Sequence, residues 1–261
     1  MNKFQEDIKK FKKNGFLIKK IKNIDLVEEI RNLIRKDFSD RDYLDCSSEA
    51  YREKVLTTQN KINNLNFQYN LVLDEKDFLS NLISNDLHVQ NIVYLRASRP
   101  NSEKLKQEQL GFHRETFYSD HEYMKFQHNI WTPILNVTER NSLSYVPQSH
   151  LIPDDAIKVQ KIEENISGVK RFSNGHKIGL AYMPKKIISG VDFTKVKKLF
   201  VPENCYVIFS SMLIHGAAIN LEEKIRFSLD FGVLPSEHLT DIKISFAAGK
   251  EQFSSLTSFQ V

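Results

Sequence analysis

Cysteines are scarce in this sequence, and the two that occur lie far apart. Cys46 and Cys205 stand in unrelated contexts and lack the spacing of a metal-binding cluster. Two isolated cysteines cannot form the disulfide framework on which many small secreted domains depend, so we expect a reducing, cytoplasmic setting. Without disulfides, stability must come from burying apolar side chains, and a chain of 261 residues is long enough for that.

Long apolar runs are also missing. The most apolar stretch, residues 205–219, contains serine and histidine and is shorter than a bilayer crossing requires. The first fifteen residues carry charges throughout, unlike a secretory signal. These features predict a soluble, intracellular protein without a membrane partner.

No dense block of one charge sign occurs. Lysine and arginine exceed the acidic residues only slightly, for a net charge of +4. Paired lysines such as Lys185 and Lys186 are dispersed, and a solvated surface is the simpler interpretation of such pairs. We therefore expect no nucleic-acid partner, and a small anionic substrate fits the charge equally well. The chain is expected to be a monomer or a homodimer.

The period of the apolar residues changes near residue 88. Before it, four segments have helical spacing: residues 4–11, 23–38, 48–65 and 75–85. Gly15 is a plausible helix stop, and residues 16–20 predict a short strand. Residues 1–87 are therefore predicted to be a mostly helical support.

From residue 88 the pattern is typical of strands separated by turns. The predicted strand segments are residues 88–98, 122–135, 141–150, 197–211 and 224–234. In the last segment, apolar residues alternate with Arg226, Ser228 and Asp230, so one face belongs in a core and the other faces solvent or a polar cavity.

The predicted fold class is mainly β with flanking helices, built on a double-sheet jelly roll. We expect one domain over residues 1–261, with its β core at 88–235. Residues 153–198 have no steady period and are predicted to be an insertion of the lid or binding-loop type. Residues 236–261 form a C-terminal extension.

A histidine and a glutamate stand two residues apart in the segment GFHRETFYSD, residues 111–120. On an extended chain His113 and Glu115 point to the same side, roughly 6.6 Å apart along the backbone, and can converge on one metal ion. His215 is the best candidate for a third ligand, since it ends a strongly apolar stretch. The remaining histidines are expected to be ordinary surface or hydrogen-bonded residues: His88, His121, His128, His150, His176 and His238.

A cation is predicted to stand close to this set. A hairpin turning between residues 220 and 221 would place His215 opposite Arg226, about 5 Å away, with Ser228 on the same face. Two histidines and a carboxylate leave three metal positions open, as in non-haem Fe(II) oxygenases. A 2-oxo acid can chelate such a metal, and its far carboxylate then needs a partner such as arginine with a neighbouring hydroxyl.

Three stretches together resemble the phytanoyl-CoA dioxygenase-like family of Fe(II)/2-oxoglutarate oxygenases, over nearly the whole chain. Residues 11–34 are similar to the family's opening helix, strand and helix. Residues 128–150 resemble its strand pair with a tryptophan and a closing Pro-Gly-Ser-His turn. The spacing of His215, Asn220 and Arg226 is similar to the family's distal histidine, asparagine and arginine.

This resemblance implies a double-stranded β-helix fold, Fe(II) bound by His113, Glu115 and His215, and 2-oxoglutarate bound by Arg226 and Ser228. The sequence departs from the family pattern at three positions. Glu115 stands where aspartate is usual, Gln148 replaces a glycine, and Ala217 replaces a frequent serine. A carboxylate at position 115 argues against a halogenase.

Further contacts are predicted from residues 123–135. Gln127, Asn129 and Trp131 share one face by alternation, and the two amides are candidate cosubstrate ligands. Trp131 is a candidate substrate contact, although a core position explains it more simply. Arg96 and Arg99 are further candidates for contact with an anionic substrate, although an exposed surface position explains both of them better.

The leading hypothesis is an Fe(II)/2-oxoglutarate-dependent dioxygenase. It would use O₂ to hydroxylate a small metabolite or natural-product intermediate, anionic ones included, and release succinate and CO₂. A non-redox, cupin-like metal enzyme explains the ligand set but not Arg226 and Ser228. A jelly-roll binding module without catalysis is a third possibility.

Overall fold

The computed structural model describes residues 3–39, 41–100, 111–118, 122–162, 183–239 and 253–259. Its helices are α1 (Lys3–Asn14), α2 (Ile24–Asp37), α3 (Ser48–Asn63), α4 (Phe67–Asp74) and α5 (Lys76–Leu82). Its strands are β1 (Phe16–Lys20), β2 (Leu87–Gln90), β3 (Tyr94–Ser98), β4 (His128–Leu135), β5 (Leu143–Tyr145), β6 (Lys158–Lys161), β7 (Lys185–Ser189), β8 (Lys197–Leu199), β9 (Cys205–Ser210), β10 (His215–Ala217), β11 (Arg226–Pro235) and β12 (Phe253–Ser255).

The helices begin and end at the residues that local chemistry favours. α1 ends at Gly15, which has φ +79° and donates its N–H to the carbonyl of Phe11 at 2.7 Å. α2 begins after Asn23, whose side-chain oxygen accepts from the N–H of Leu26 at 3.1 Å. These two helices and the strand at residues 16–20 confirm the sequence predictions.

α4 was not predicted, and its sequence explains why. Most of its eight residues are buried, including Gln68 and Tyr69. A helix that is buried nearly all round lacks the polar stripe that reveals helical spacing in a sequence. Within the described part of the chain, no helix is both long and apolar enough to cross a membrane.

The fold is a jelly roll of antiparallel strands with helices on one side. The large sheet has the order β1-β9-β4-β11-β2-β12, with β3 also paired to β11. The small sheet has the order β10-β5-β8, and β6 and β7 form a separate two-stranded ladder. The two main sheets are joined by an apolar cluster to which Trp131 and Val207 contribute from one sheet and Leu143 and Leu199 from the other.

The predicted alternation along β11 is confirmed. Phe227, Leu229 and Phe231 are buried in the core beneath the helices. Each such side chain contributes about 1.5–3 kcal/mol of burial free energy. Arg226 and Ser228 alternate with them and so lie on the opposite face, toward the small sheet.

The predicted hairpin between His215 and Arg226 is wrong. His215 in β10 pairs with Tyr145 of the small sheet, whereas Arg226 in β11 pairs with Ser98 of the large sheet. Asn220 explains the difference, since its side-chain nitrogen donates to the carbonyls of Ser98 at 2.7 Å and Lys224 at 2.8 Å. These bonds hold residues 218–225 as a crossover between sheets instead of a tight turn.

The predicted strand at residues 88–98 is divided into β2 and β3. The interruption is fixed by the helices, because Asn63 of α3 accepts from the N–H of Val93 at 2.8 Å. Tyr69 of α4 also donates to the side chain of Asn91 at 2.9 Å. Both short strands pair with β11, so the break lets one long strand hold two partners end to end.

The insertion and the C-terminal extension are described in part. Residues 154–156 form a short 3₁₀ turn, and β6 and β7 follow as an antiparallel pair with mostly exposed side chains. Residues 163–182 lie outside the described residues. In the C-terminal extension, β12 adds to the large sheet beside β2.

The turn before Ser149 requires an unusual backbone conformation. Gln148 has φ +58° and ψ +10°, in the left-handed region, and its side chain is exposed without a capping hydrogen bond. Glycine adopts this region without steric cost, which accounts for the glycine expected at this turn by resemblance.

Replacing Gln148 with glycine should stabilise the protein. The left-handed region costs a non-glycine residue roughly 1–2 kcal/mol, and the greater freedom of glycine in the unfolded chain returns about 0.4–1 kcal/mol of this. We therefore expect Gln148→Gly to raise the free energy of unfolding by about 0.5–1 kcal/mol in urea titrations. Gln148→Ala is the matched control, because alanine has the same steric conflict. A glycine variant no more stable than the alanine variant would contradict this account.

Candidate metal centre

The backbone brings His113 and His215 side by side. The N–H of each residue donates to the carbonyl of the other, at 2.9 and 3.0 Å, in an isolated antiparallel bridge. The centroids of the two imidazole rings are 4.5 Å apart. The ring of His215 also packs edge-on against Phe209 of β9, at 4.6 Å between centroids. The pair therefore lies between the small and the large sheet.

Each imidazole is oriented by its own chain. Nδ1 of His113 is 2.7 Å from the carbonyl of Gly111, and Nδ1 of His215 is 2.9 Å from the carbonyl of Leu213. A carbonyl only accepts, so both Nδ1 atoms carry the proton, which leaves the Nε2 lone pairs available. A hydrogen bond of this kind on the far nitrogen is typical of metal-binding histidines.

Glu115 completes the cluster. It begins a 3₁₀ turn over Glu115–Phe117, and its N–H donates to the carbonyl of Ser211 at 3.1 Å. Its Oε1 lies 3.6 Å from Nε2 of His113 and 3.4 Å from Nε2 of His215. One ligand atom from each residue lies within 4.8 Å of the others, and no second group of this kind occurs among the residues that the structure describes.

These three groups require a shared cation. Two Nε2 lone pairs and a carboxylate repel one another unless a proton or a metal ion stands between them. Burial raises the pKa of Glu115, but when protons on the Nε2 atoms of His113 and His215 take that place, their hydrogen bonds and positive charge outweigh burial and hold that pKa below its ordinary value. The centre thus keeps an ionised carboxylate, and its nitrogen and oxygen donors fit a divalent transition metal.

Arg226 and Ser228 present polar atoms without partners. Arg226 is 3% exposed, and its Nε and Nη1 have no hydrogen-bond partner among the described residues. The same holds for the hydroxyl of Ser228, which is fully buried. Burial and the charge of Arg96 lower the pKa of Arg226 to about 10. Since buried unpaired donors are costly, an anion is the natural complement of this pair.

The predicted amide pair lies on the same face of the large sheet. Nε2 of Gln127 donates to the side-chain oxygen of Asn129 at 2.7 Å, and both residues are buried. Asn129 pairs with Gly232 of β11. A Cβ atom at Gly232 would stand 2.8 Å from the nitrogen of Gln127, so the glycine leaves space for the amide pair.

Trp131 lies in the core, which was the simpler of its two interpretations. It is 3% exposed within the apolar cluster between the sheets. The guanidinium carbon of Arg226 lies 6.0 Å from the centroid of its ring, at the outer limit of a cation–π contact. Trp131 therefore forms a wall beside Arg226, and contact with a substrate stays a prediction.

The two other arginines differ in role. Arg96 binds Asp230 with two hydrogen bonds, from Nε at 2.6 Å and from Nη2 at 3.0 Å. Arg99 is 2% exposed and donates to backbone carbonyls that include Cys46 at 2.7 Å. The expected surface position is wrong for Arg99, which holds the loop before α3.

Arg114 is a buried residue that the sequence did not reveal. It is fully buried between the two ligands His113 and Glu115 in the chain, and it donates to the side chain of Asp154 at 2.7 Å. It also donates to the carbonyls of Ser149 and, at 2.6 Å, Ile152. On an extended chain, the alternation that places His113 and Glu115 on one side places Arg114 on the other. This alternation was the sequence signal that could have shown Arg114 pointing away from the metal ligands.

The remaining described histidines have neighbours outside the centre. Nδ1 of His88 contacts Ser236, Nδ1 of His128 contacts the carbonyl of Phe126, Nε2 of His150 contacts the carbonyl of Lys12, and His238 stacks on Phe126. His121 and His176 lie outside the described residues. The selection of His215 as the partner of His113 therefore agrees with the geometry.

No protein-family model and no curated protein matches this chain. Solved structures of similar fold do match. EvdO2 from Micromonospora carbonacea var. aurantiaca, complexed with 2-oxoglutarate, aligns with a TM-score of 0.58 and 14% identity over 90% of this chain and 91% of that one. The epimerase SnoN, in complex with Fe³⁺, alpha-ketoglutarate and nogalamycin RO, aligns with 0.56 and 13% over 97% and 98%.

The non-heme monooxygenase ThoJ aligns with a TM-score of 0.56 and 12% identity over 87% of this chain and 76% of that one. At such identities the likeness shows the fold alone, and it confirms the predicted jelly roll. Of these three structural neighbours, SnoN holds Fe³⁺ and alpha-ketoglutarate, EvdO2 holds 2-oxoglutarate, and ThoJ is a non-heme monooxygenase.

The cluster predicts one tight site for a divalent metal. In calorimetric titration with Co(II) alone, His113→Ala and His215→Ala should each weaken binding on the order of 100-fold or more, since changes beyond the ligands already cost about 10–100-fold. His238→Ala is the control, because that ring stacks on Phe126 away from the centre. Unchanged Co(II) affinity in both ligand variants would exclude this site.

Replacing Arg114 should lower both the stability of the protein and the affinity of the metal centre, because Arg114 anchors the segment that carries His113 and Glu115. Arg114→Met keeps most of the side-chain volume but removes the bonds to the carbonyls of Ser149 and Ile152, of which only Ser149 keeps another donor, the N–H of Ile152. We therefore expect a loss of about 1–3 kcal/mol in the free energy of unfolding. Co(II) affinity should fall about tenfold. Asp154→Asn is the matched control and should cost less than about 1 kcal/mol, since Asp154 is 40% exposed. Equal stability of Arg114→Met and wild type would contradict this role.

Proposed function

We propose that this protein is an Fe(II)/2-oxoglutarate-dependent dioxygenase that hydroxylates a small molecule. The observation that carries the proposal is a buried pair, Arg226 and Ser228, on the face of the large sheet that looks toward His113, Glu115 and His215. Nε and Nη1 of the arginine and the serine hydroxyl have no hydrogen-bond partner among the described residues. A metal ligand set and a pair of anion-binding side chains in one inter-sheet space match a cosubstrate that chelates at one end and carries a carboxylate at the other.

In this proposal His113, Glu115 and His215 bind iron. The carbonyls of Gly111 and Leu213 hold both imidazoles with Nε2 toward the metal, so binding requires little rearrangement of the rings. The bound centre supplies oxidation of a C–H bond, with O₂ consumed and succinate and CO₂ released. Three protein ligands leave positions for a bidentate 2-oxo acid and for O₂.

Arg226 and Ser228 bind the distal carboxylate of 2-oxoglutarate. A bidentate pair with the guanidinium would satisfy its Nε and one Nη, and the serine hydroxyl would add a third bond. The charges of Fe²⁺, Glu115, Arg226 and the dianion sum to zero, which suits a site from which water is excluded. Gln127 and Asn129 are proposed to contact the same ligand through their amides.

Arg226 and Ser228 distinguish the leading proposal from its alternatives. A non-redox cupin-like enzyme needs the metal ligands but leaves the buried guanidinium without a function. A binding module needs neither. Burying an uncompensated charge costs several kcal/mol, so a fold retains it where a ligand compensates it.

We further propose membership of the phytanoyl-CoA dioxygenase-like family, a cytoplasmic location and a single domain over the whole chain. A core that is shared between α1–α5 and the large sheet supports the single domain. The ladder of β6 and β7 is proposed to border the substrate. Its base packs Ile187 near Phe112, next to His113.

The decisive measurement is metal-dependent binding of 2-oxoglutarate. Anaerobic Fe(II) and 2-oxoglutarate should produce a weak visible charge-transfer band in wild type, and His215→Ala should abolish it. Arg226→Gln should weaken 2-oxoglutarate binding about 10–100-fold, since hydrogen bonds to charged groups contribute about 1.5–3 kcal/mol each, and Ser228→Ala should weaken it less. Both should retain Co(II) binding. A metal-replete wild type without any band would exclude the proposal.

Product analysis then decides the outcome of the reaction. Hydroxylation transfers one atom of labelled O₂ to the product, whereas an epimerisation, the activity named for SnoN, does not. A 2-oxoglutarate turnover screen with a metabolite panel, read by succinate release, supplies the substrate for that test.

A further inference from the structure

A second ionic pair lies on the same inner face of the large sheet. Arg96 of β3 pairs with Ser228 of β11, and Asp230 stands two residues further along that strand. Nε and Nη2 of Arg96 bind the two carboxylate oxygens of Asp230 at 2.6 and 3.0 Å, in the parallel bidentate geometry. The guanidinium also lies 4.9 Å from the ring of Tyr94.

This pair borders the metal centre. The phenol of Tyr94, whose pKa burial raises, lies close enough to Arg96, Asp230 and Glu115 for their charges to act on it. Arg96 keeps 37% of its side-chain surface exposed and Asp230 keeps 19%, although both stand on the face that looks toward the small sheet. Their exposed atoms therefore open into the space beside the proposed iron site, where a substrate would lie.

The charges on this face balance without a charged substrate. Arg226 is buried, and its Nε and Nη1 have no hydrogen-bond partner in the described part of the chain. The distal carboxylate of 2-oxoglutarate neutralises it in the proposed function. The charge of Arg96 is already neutralised by Asp230. An anionic substrate would have to displace the Asp230 carboxylate from a bidentate pair, which offsets most of the energy of a new one.

The pair nevertheless keeps hydrogen-bonding capacity for a neutral group. Nη1 of Arg96 makes no hydrogen bond with any described residue, and each carboxylate oxygen of Asp230 has a second lone pair. A donor and an acceptor thus stand next to each other. Hydroxyl groups, which donate and accept at once, satisfy both.

We propose that Arg96 and Asp230 select an uncharged, hydroxyl-bearing substrate, which they bind by its hydroxyl groups beside the metal. This inference rests on the proposed function and names the substrate class of that site. It replaces the expectation that Arg96 receives an anionic group. The same pair excludes a carboxylate or phosphate from this part of the substrate, because Asp230 repels it.

The test removes the negative charge of Asp230, so that the charge of Arg96 is no longer neutralised. Methylphosphonate, a small anionic probe, is titrated calorimetrically into protein loaded with Co(II) and 2-oxoglutarate, so that Arg226 is already occupied. Wild type should show no saturable binding. Asp230→Asn should bind the probe saturably, with an affinity about tenfold or more above the detection limit set by wild type, because a charge-assisted pair becomes available. The double variant Arg96→Gln with Asp230→Asn is the matched control and should behave like wild type.

Two binding results and one turnover result would overturn the inference. The first is saturable binding of methylphosphonate to wild type that Arg96→Gln abolishes. The second is an Asp230→Asn variant that binds Co(II) and 2-oxoglutarate normally but gains no affinity for the probe. In turnover, a carboxylated compound that stimulates succinate release more than its uncharged counterpart, such as glucuronate against methyl glucoside, would likewise contradict it.

Failure of the proposed function would give a different experimental result. A wild type that binds no Co(II) or no 2-oxoglutarate refutes the proposed cofactors before any probe is added. The probe titrations are then repeated in an Arg226→Gln background. There, comparing aspartate with asparagine at position 230 still tests whether Asp230 prevents Arg96 from binding the probe.

Discussion

The two faces of β11 have opposite character, and the core and the candidate site both depend on that contrast. One face carries Phe227, Leu229 and Phe231 into the core beneath the helices. The other carries Arg226 and Ser228 into the space between the sheets. A shift of one residue in the pairing of β11 would exchange the two sets and bury the wrong one. The apolar face therefore fixes the register that positions the arginine, and the helices, although remote from the chemistry, stabilise the site by covering that face.

Much of this architecture was accessible from the sequence because it depends on local periodicity. The period of two along β11, the stop at Gly15 and the short strand at residues 16–20 each arise from residues close together in the chain. The pairing of His215 was not accessible in this way. The hairpin prediction relied on spacing alone, whereas the crossover depends on Asn220, whose side chain donates to the carbonyl of Ser98 and accepts from the side chain of Asn141. The uninterrupted burial of α4 likewise removed the pattern by which a helix is recognised.

The candidate site shows the same division. His113, Glu115 and His215 were predicted as a set, since a histidine at the end of an apolar strand is unusual, and the structure brings them within 4.8 Å. Arg114 and Asp230 were missed as contributors. The function of each lies in a partner distant in sequence, Asp154 for the former and Arg96 for the latter. A single sequence shows which residue types are present but not which charges neutralise each other. Here that neutralisation distinguishes Arg226, which we propose as a carboxylate site, from Arg96, which is paired with Asp230.

The backbone bridge between His113 and His215 also affects how the protein folds. About a hundred residues separate the two ligands, so the site forms only after a long loop has closed and both sheets have assembled around it. A metal ion consequently has little to bind in the unfolded chain or in an early intermediate, unlike in a zinc finger, where nearby ligands let the metal organise the chain. Metal binding here would act after folding. It would stabilise only those molecules in which both sheets have assembled, and it would slow their unfolding.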